Sequence, residues 1–392
     1  MDGSLITTLH GDCRELLPTL PDRSVQCCVT SPPYYGLRDY GTAQWDGGDA
    51  ACDHGAAYRE KRQATRQAGV NGGIPGSERD PPQTVCKCGA RRIDAQLGLE
   101  ATPDAYVAAL VGVFREVRRV LRDDGTLWLN LGDSYFSPTA TQGRNERKSQ
   151  ITTLTRHGAN GRSGALDEQK PTTFQRNGSG LKPKDLLMMP ARVALALQAD
   201  GWWLRSAIVW HKPNPMPESV RDRPTSAYEM VYLLTKSDRY YYDADAVREA
   251  ACGAAELPRR HGNGETVQGP GGGYRVGSTT GRRNCRNVWT ITPKPYKGAH
   301  FATFPPELAA RCIKAGSKPG DTILDPFSGA GTTALVADQL GRDGLQIELN
   351  VAYIALAEQR TAPPPAKPAR APKPVRSPRP PQPMPLFEWA AA

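Results

Sequence analysis

Two short segments, far apart in a chain of 392 residues, carry side chains that could do chemistry. The first is Ser-Pro-Pro-Tyr at residues 31–34, and the second is a glycine-rich stretch at residues 325–333. Each follows a run of apolar and β-branched residues, 25–29 and 322–324, which predicts a buried parallel strand. Ligands of doubly wound sheets bind beyond the carboxyl ends of such strands. We therefore predict that the two segments form one site.

The first segment offers two hydrogen-bond acceptors and an aromatic ring on a rigid loop. The paired prolines Pro32 and Pro33 fix the backbone, so that the Ser31 hydroxyl and the Pro32 carbonyl can each accept a hydrogen bond. Tyr34 can stack on a base that has been swung out of a duplex. An exocyclic amine is a poor nucleophile, because its lone pair is delocalised into the ring, and two acceptors for its hydrogens suit its activation. Taken alone, the segment could equally be an ordinary turn after a strand.

The second segment reads as a ligand loop at the start of a helix. Its glycines Gly329 and Gly331 would let the backbone approach a ligand closely. A phosphate-binding loop is the main alternative, but no lysine precedes Thr332 or Thr333. The sequence therefore argues against a nucleoside triphosphatase.

Together these segments resemble the catalytic and cofactor loops of the DNA amino-methyltransferases, which methylate the exocyclic amine of cytosine or adenine. The resemblance covers most of the chain outside two insertions, and the order, with the catalytic loop first, is that of the β group. It implies a Rossmann-like α/β fold with a doubly wound, mostly parallel sheet. It also implies double-stranded DNA as the partner and S-adenosylmethionine as the donor, with direct transfer of its sulfonium methyl to a flipped base.

The resemblance also implies roles for individual residues. The expected catalytic residues are Ser31, Pro32, Pro33 and Tyr34. The expected cofactor-binding residues are Asp12, Phe304, Asp325, Pro326, Phe327, Gly329, Gly331, Thr332 and Glu348. Glu348 lies ~20 residues past the glycine loop, where such folds place a carboxylate on the ribose hydroxyls. Asp12 matches the family position that contacts adenine, but it could also be a simple helix cap. Glu229 belongs to a further matching block, although the family usually has His where this chain has Tyr228.

The residue before the two prolines bears on which base is methylated. Family members that act on adenine usually carry Asp or Asn there, whereas Ser31 is more typical of enzymes that methylate cytosine N4. Adenine N6 remains the alternative. Cytosine-C5 methylation is a poor fit, because it needs a cysteine nucleophile that usually follows proline, and this chain has no Pro-Cys pair. A different substrate class is that of the protein-glutamine methyltransferases, whose two loops come in the opposite order. A DNA-binding protein with a decayed active site is the non-enzymatic alternative.

Composition agrees with a polyanionic partner, since the formal net charge is +10. The hydrophobic fraction is 39%, and no apolar run approaches the ~20 residues of a membrane span. The N-terminus lacks the pattern of a signal peptide, so we expect a cytoplasmic, reducing location. The nine cysteines are then not expected to form a disulfide framework.

Composition shifts divide the chain into a core and inserted modules. We expect residues 1–40, 99–135, 181–250 and 288–360 to form the methyltransferase core, interrupted by polar insertions at 41–98 and 136–180. The segment 251–287 is the candidate target-recognition region, because arginine can contact guanine and phosphate. Its candidate DNA-binding residues are Arg259, Arg260, Arg282, Arg283 and Arg286. The alternative is a solvated loop that never touches DNA.

Two further expectations concern the first insertion and the tail. Cys52, His54, Cys86 and Cys88 supply four soft ligands that could hold one structural zinc ion, the alternative being unligated surface thiols. The tail 361–392 contains 11 prolines and should be disordered. Within it, residues 382–387 are similar to peptides that dock on bacterial sliding clamps, although the segment could also fold back on the enzyme or do nothing.

Overall fold

The fold was analysed in a computed structural model. It describes residues 5–36, 40, 42–49, 51–54, 85–86, 88–136, 181–250, 282–293 and 304–361. The chain divides into one unit of residues Met1–Thr361 and a second of Ala362–Ala392, and the second lies outside the described residues. Arg259, Arg260 and the clamp-like segment 382–387 are also outside them.

An eight-stranded sheet is the centre of the first unit. The strands in chain order are β1 Ile6–His10, β2 Val25–Thr30, β3 Gln44–Asp46, β4 Arg91–Ile93, β5 Leu121–Leu131, β6 Trp203–His211, β7 Tyr228–Thr235, β8 Glu249–Ala250, β9 Arg282–Arg283, β10 Val288–Thr290, β11 Thr322–Asp325 and β12 Asp343–Glu348. The sheet has the order β1-β12-β11-β2-β5-β7-β6-β10, while β3 pairs with β4 and β8 with β9 in two short ribbons. Only β7 runs antiparallel to its neighbours in the large sheet, so the expected mostly parallel sheet is confirmed.

Helices cover both faces of this sheet. Those described are α1 Cys13–Leu16, α2 Pro103–Val120, α3 Met189–Ala199, α4 Pro306–Gly316, α5 Thr332–Gln339 and α6 Val351–Thr361. All six residues of β2 are buried, and its four apolar residues are divided between two apolar clusters on opposite faces of the sheet. Cys28 packs into the cluster that includes α2, and Cys27 and Val29 pack into the one that includes α4. A strand buried on both sides explains the continuous apolar run seen in the sequence.

The longest helix, α2, shows how local sequence sets an element in place. The Thr102 hydroxyl accepts a hydrogen bond from the Ala105 N–H at 3.1 Å, and Pro103 occupies the first turn. Tyr106, Leu110 and Phe114 recur at helical spacing on the buried face. The helix therefore lies over β5 and brings Tyr106 beneath the loop that follows β2. None of the helices in the described part of the chain is long and apolar enough to cross a membrane.

Strand pairing brings the two chemically interesting segments to the same edge. β2 and β11 are parallel neighbours, with Cys27 opposite Ile323 and Cys28 opposite Leu324. The loops that follow their carboxyl ends are residues 31–36 and 326–331, so they emerge side by side. β7 begins at this same edge, because it runs antiparallel to β5.

Candidate active site

A buried carboxylate ties the two loops together. Asp325, which is 1% exposed, accepts hydrogen bonds from the hydroxyls of Thr30 and Thr333, each at 2.7 Å. It also accepts one from the Phe327 N–H at 3.1 Å. Burial raises the pKa of Asp325 to about 6, although the bonds from Thr30 and Thr333 act to lower it. The Asp325 carboxylate is thus engaged by the protein, and it fixes the spacing between the loops.

The Tyr34 hydroxyl is the centre of a polar network at the end of β2. Its oxygen lies 2.7 Å from Glu229 Oε2, 3.2 Å from Asn130 Oδ1 and 3.2 Å from Ser31 Oγ. Burial, together with the charge of Glu229, raises the pKa of Tyr34 well above its ordinary range. The phenol therefore stays protonated and acts as a hydrogen-bond donor. The sequence had suggested only a stacking role for this side chain.

The orientation of the neighbouring groups is fixed by their own partners. Asn130 Nδ2 donates to Glu229 Oε2 and to the Met230 carbonyl, both at 3.1 Å, so Asn130 Oδ1 faces Tyr34. The Lys212 ammonium pairs with Glu229 Oε1 and lies 4.6 Å from the centroid of the Trp210 ring. Glu229 is therefore an acceptor held in place by a cation.

Counting donors gives the direction of the Ser31 hydroxyl. The carboxylate of Glu229 and the Oδ1 of Asn130 can only accept, so one of them takes the single proton of Tyr34. The Tyr34 oxygen then has only lone pairs for Ser31, and the Ser31 hydroxyl must donate to it. The lone pairs of Ser31 are left as acceptors.

The backbone of the same loop offers a second acceptor. The Pro33 carbonyl is occupied, because it accepts the Tyr106 hydroxyl at 2.8 Å. No hydrogen bond to the Pro32 carbonyl occurs among the described residues. The lone pairs of Ser31 and the Pro32 carbonyl are thus not used by hydrogen bonds from the described residues.

Two residues of this site had not been assigned a role from the sequence. Asn130 belongs to the network described above, and a Cβ added at Gly132 would lie 2.5 Å from Cε2 of the Tyr34 ring. Only glycine leaves room for the ring at that position. A signal did exist for Asn130, since it is a buried polar residue in the otherwise apolar second half of β5.

The glycine loop is held by a carboxylate from the next strand. Glu348 Oε2 accepts the Gly329 N–H at 2.7 Å, and Oε1 accepts the Asn350 N–H at 2.8 Å. Burial raises the pKa of Glu348, while these two N–H bonds act to lower it. β1 pairs with β12 so that His10 lies opposite Glu348, which places Asp12 at the same edge.

The loop also contains one buried polar atom that lacks a partner among the described residues. The Ser328 Oγ is buried without a hydrogen-bond partner among the described residues. At Gly329, where φ is +52°, an added Cβ would meet no described atom within 4 Å. Gly331 differs, because its Cβ would lie 2.7 Å from that of Ala357 on α6. Gly329 therefore borders open space beside Ser328, whereas Gly331 serves close packing.

The other residues expected near the cofactor have structural partners. Asp12 caps α1 by accepting the Arg14 N–H at 2.9 Å, and its carboxylate also pairs with the Arg14 guanidinium. The helix-cap alternative is thus what the described residues display, and the pairing brings Arg14 to the cofactor edge. The rest are placed as follows: Thr332 accepts a bond from Arg360, Pro326 is buried, Phe327 packs on the cluster that includes α2, and Phe304 packs on the one that includes α4.

Comparison with known proteins decides which family this site belongs to. A family model described as DNA methylase, for N6 and N4 enzymes, matches residues 25–359. The chain belongs to the N6/N4 family of DNA methylases. The family inferred from the two loops is confirmed.

Sequence similarity to known methyltransferases supports the same family. Type II methyltransferase M.XycI of Xanthomonas campestris pv. cyanopsidis is 39% identical over 354 residues, covering 90% of this chain and 87% of that protein. M.SmaI of Serratia marcescens is 39% identical over 350 residues, covering 89% and 88%. The solved PvuII DNA methyltransferase (cytosine-N4-specific) aligns with a TM-score of 0.52 and 16% identity over 93% of this chain and 89% of that chain. That last likeness shows a shared fold.

In this DNA methylase, the three candidate DNA-binding arginines among the described residues, Arg282, Arg283 and Arg286, are not gathered around Ser31. Arg283 and Arg286 pair with Glu249 at 3.3 and 3.2 Å, and Arg282 donates to the Arg248 carbonyl. The β8–β9 ribbon leads into the amino-terminal end of β10, whereas the catalytic loop follows the carboxyl end of β2. Because β10 runs in the same direction as β2, these arginines lie at the opposite edge of the sheet from Ser31.

The first insertion gathers the four soft ligands in one place. One ligand atom from each of Cys52, His54, Cys86 and Cys88 lies within 4.8 Å of all the others. All four residues are half-buried. The cluster is separate from the Tyr34 network and from the glycine loop.

Proposed function

We propose that this DNA methylase is a type II, site-specific enzyme that methylates the exocyclic amine of cytosine at N4 in double-stranded DNA. The observation that carries the proposal is the Ser31–Tyr34–Glu229 network, which leaves Ser31 as an acceptor beside the glycine loop. The relatives bear the name type II methyltransferase, which supports a place in a restriction-modification system. Its net charge of +10 agrees with a DNA substrate.

The cofactor that fits the glycine loop is S-adenosylmethionine. When bound, it supplies an electrophilic methyl group on a sulfonium centre. On the protein side, the unpartnered Ser328 hydroxyl and the open backbone at Gly329 can receive a polar ligand. Glu348 can accept hydrogen bonds from ribose hydroxyls if it exchanges the Gly329 N–H for them.

The acceptor pair at Ser31 and Pro32 can activate a flipped base. A hydroxyl that could otherwise donate is turned into an acceptor by Tyr34, so it can receive one hydrogen of the target amine. The Pro32 carbonyl can receive the other. With both hydrogens held, the amine nitrogen is oriented and its lone pair is less drawn into the ring, so positioning and electrostatics supply most of the rate gain. Metal-activated water has no part in this reaction.

Ser31 is the basis for favouring cytosine over adenine. Adenine N6 is the second candidate, because its amine also presents two hydrogens and the same pair of acceptors could hold it. A catalytically inactive DNA-binding protein is the third and least favoured candidate, since Ser31, Tyr34 and Gly329 are all present. The clamp-like segment 382–387 lies outside the described residues and stays a prediction from the sequence.

One experiment separates these candidates. The purified full-length chain is incubated with unmodified bacterial DNA and methyl-labelled S-adenosylmethionine, and the DNA is digested to nucleosides for mass spectrometry. We expect labelled N4-methyl-2′-deoxycytidine as the product. Labelled N6-methyl-2′-deoxyadenosine would overturn the choice of base but keep the enzyme class. Absence of label, with DNA binding retained, would leave the inactive binding protein as the answer.

A further inference from the structure

The soft-ligand cluster has the dimensions of a tetrahedral zinc site. Cys52 Sγ and Cys86 Sγ are 3.8 Å apart, and Cys88 Sγ is 3.4 Å from His54 Nδ1. Zinc binds sulfur at about 2.3 Å and imidazole nitrogen at about 2.0 Å, which gives tetrahedral edges of roughly 3.8 Å for S···S and roughly 3.5 Å for S···N. The described distances match both edges. A set of three thiols and one imidazole favours zinc among common metals.

The backbone around the cluster is shaped to present these ligands. Only one residue separates Cys86 from Cys88, and a tight turn makes this possible, with the Gly89 N–H donating to the Cys86 carbonyl at 2.9 Å. Gly89 has a φ of +89°, which favours glycine. Gly48 is needed as well, because a Cβ there would lie 2.8 Å from Cys88 Sγ.

The β3–β4 ribbon beside the cluster is too small to be stable alone. Its strands have three residues each, and isolated two-stranded ribbons are marginal in water. The Trp45 ring on β3 stacks on the His54 imidazole with centroids 5.1 Å apart. A bound ion would cross-link the ribbon to residues 52–54 and supply the folding free energy that a small apolar core would otherwise provide.

The far end of this ribbon contacts the catalytic loop. The chain leaves β4 at Ile93 and reaches Gly98, whose carbonyl accepts the Gly36 N–H at 2.9 Å. A Cβ at Gly98 would lie 2.9 Å from the Tyr34 carbonyl, so the two backbones touch. The position of Tyr34 is thus coupled to the ribbon.

The stems of the ribbon are also fixed to the core. The Tyr40 N–H donates to Gln96 Oε1 at 2.6 Å, which joins the two stems to each other. The Ala95 carbonyl accepts Arg14 Nη2 at 2.8 Å, and the Tyr40 carbonyl accepts Asn350 Nδ2 at 3.1 Å. A disturbance at the cluster therefore reaches the loop through a short, well-anchored path.

We propose that Cys52, His54, Cys86 and Cys88 bind one structural zinc ion, and that this ion positions the catalytic loop through the β3–β4 ribbon. The metal takes no part in bond making, and its effect on rate is through the placement of Tyr34 and Ser31. The positioning half of this inference rests on the proposed function, whereas the metal half stands without it.

The test begins with the metal content of the full-length protein, measured by elemental mass spectrometry. We expect about one zinc per chain in the parent. Cobalt-substituted protein should display thiolate charge-transfer absorption and the visible bands of a tetrahedral site. Cys88→Ser should lose the metal, whereas Cys285→Ser, which removes a half-buried thiol outside the cluster, should keep it.

Hydrogen exchange and kinetics then test the positioning role. In Cys88→Ser, or in the parent after chelation, amide exchange should rise at residues 34–36 and 91–98 and stay unchanged in α2. We expect kcat to fall by ~10- to 100-fold, because small displacements of positioned groups cost that much, and added zinc should restore the chelated parent. The chelated parent serves as the second arm in case Cys88→Ser fails to fold.

Each result decides one half of the inference. A parent that holds no zinc, even after refolding with the metal, overturns the site. Loss of zinc without any change in kcat or in amide exchange at residues 34–36 overturns the positioning role and leaves a purely local structural ion. If the parent methylates no DNA at all, the proposed function fails, while metal content and exchange still decide whether the ion is present and holds the loop.

Discussion

Removing the Tyr34 hydroxyl tests whether Ser31 is made an acceptor by its neighbours. Tyr34→Phe keeps the ring against Gly132 but deletes the bonds to Glu229, Asn130 and Ser31. The Ser31 proton then has no fixed acceptor and can point at the target amine. A hydrogen bond that involves a charged group contributes about 1.5–3 kcal/mol, so we expect the single-turnover rate constant for methyl transfer to fall roughly 10- to 150-fold. Affinity for S-adenosylmethionine should be nearly unchanged, because the glycine loop is not touched.

A double-mutant cycle separates this effect from a general loss of packing. In a Ser31→Asn background the amide oxygen accepts hydrogen bonds without help, and in Ser31→Ala there is no hydroxyl to orient. Tyr34→Phe should therefore cost less than about threefold in both backgrounds, giving a coupling energy of about 1 kcal/mol or more. Tyr34→Ala serves as the comparison, since its further loss beyond Tyr34→Phe reports base stacking, ~1–3 kcal/mol. An equal cost of Tyr34→Phe in all three backgrounds would refute the donor-counting argument.

Three further predictions concern the residues that surround this network. Asp325→Asn should flatten the pH dependence of folding: burial raises the pKa of Asp325 from 3.8 to about 6, so the stability that the protonated form gives at low pH is lost as pH rises through 6. The variant should gain roughly 2 kcal/mol of unfolding free energy relative to the parent between pH 4 and pH 7 in chemical denaturation, and parallel profiles would contradict this. Gly329→Val should weaken S-adenosylmethionine binding at least ~10-fold by calorimetry and should also lower Tm, because a φ of +52° strains a β-branched residue. Gly331→Ala should lower Tm through its 2.7 Å contact with Ala357 and change cofactor affinity less; a larger loss of affinity in Gly331→Ala would be evidence against the cofactor loop. Gly132→Ala should displace the Tyr34 ring and lower kcat without changing cofactor affinity, and a parental kcat would show that the ring position is not needed.

The strands and loops that define the site could be predicted because their signals are local. The buried runs of β2 and β11 are continuous in the sequence, and each ends directly at a loop of unusual composition. The four residues of the soft-ligand cluster could be named from residue type, as two close pairs in the chain, and the structure brings the two pairs together.

The partners of Tyr34 could not be predicted in the same way. Glu229 reaches Tyr34 only because β7 inserts antiparallel between β5 and β6, and no local pattern specifies that pairing. Gly132 is likewise special only because the Tyr34 ring, from the loop that follows β2, lies against it. The placement of Arg282 and Arg283 depends on the direction in which β10 runs in the sheet, which chain order alone does not reveal.

Ser31 can act as an acceptor here because the carboxylate of Glu229 orients its hydroxyl through Tyr34. Asp or Asn at this position would present an acceptor oxygen by itself, whereas a hydroxyl first needs an acceptor for its own proton. The Tyr34 oxygen is that acceptor, and the carboxylate of Glu229, which is paired with Lys212, keeps the phenol proton turned away from Ser31. Thr30, next to Ser31 in the chain, is meanwhile bound to Asp325 at the start of the glycine loop. Glu229 therefore fixes the direction of the Ser31 hydroxyl, and Asp325 fixes the distance between the Ser31 loop and the glycine loop. Changes at Glu229 should alter kcat, whereas changes at Asp325 should alter the geometry of both loops.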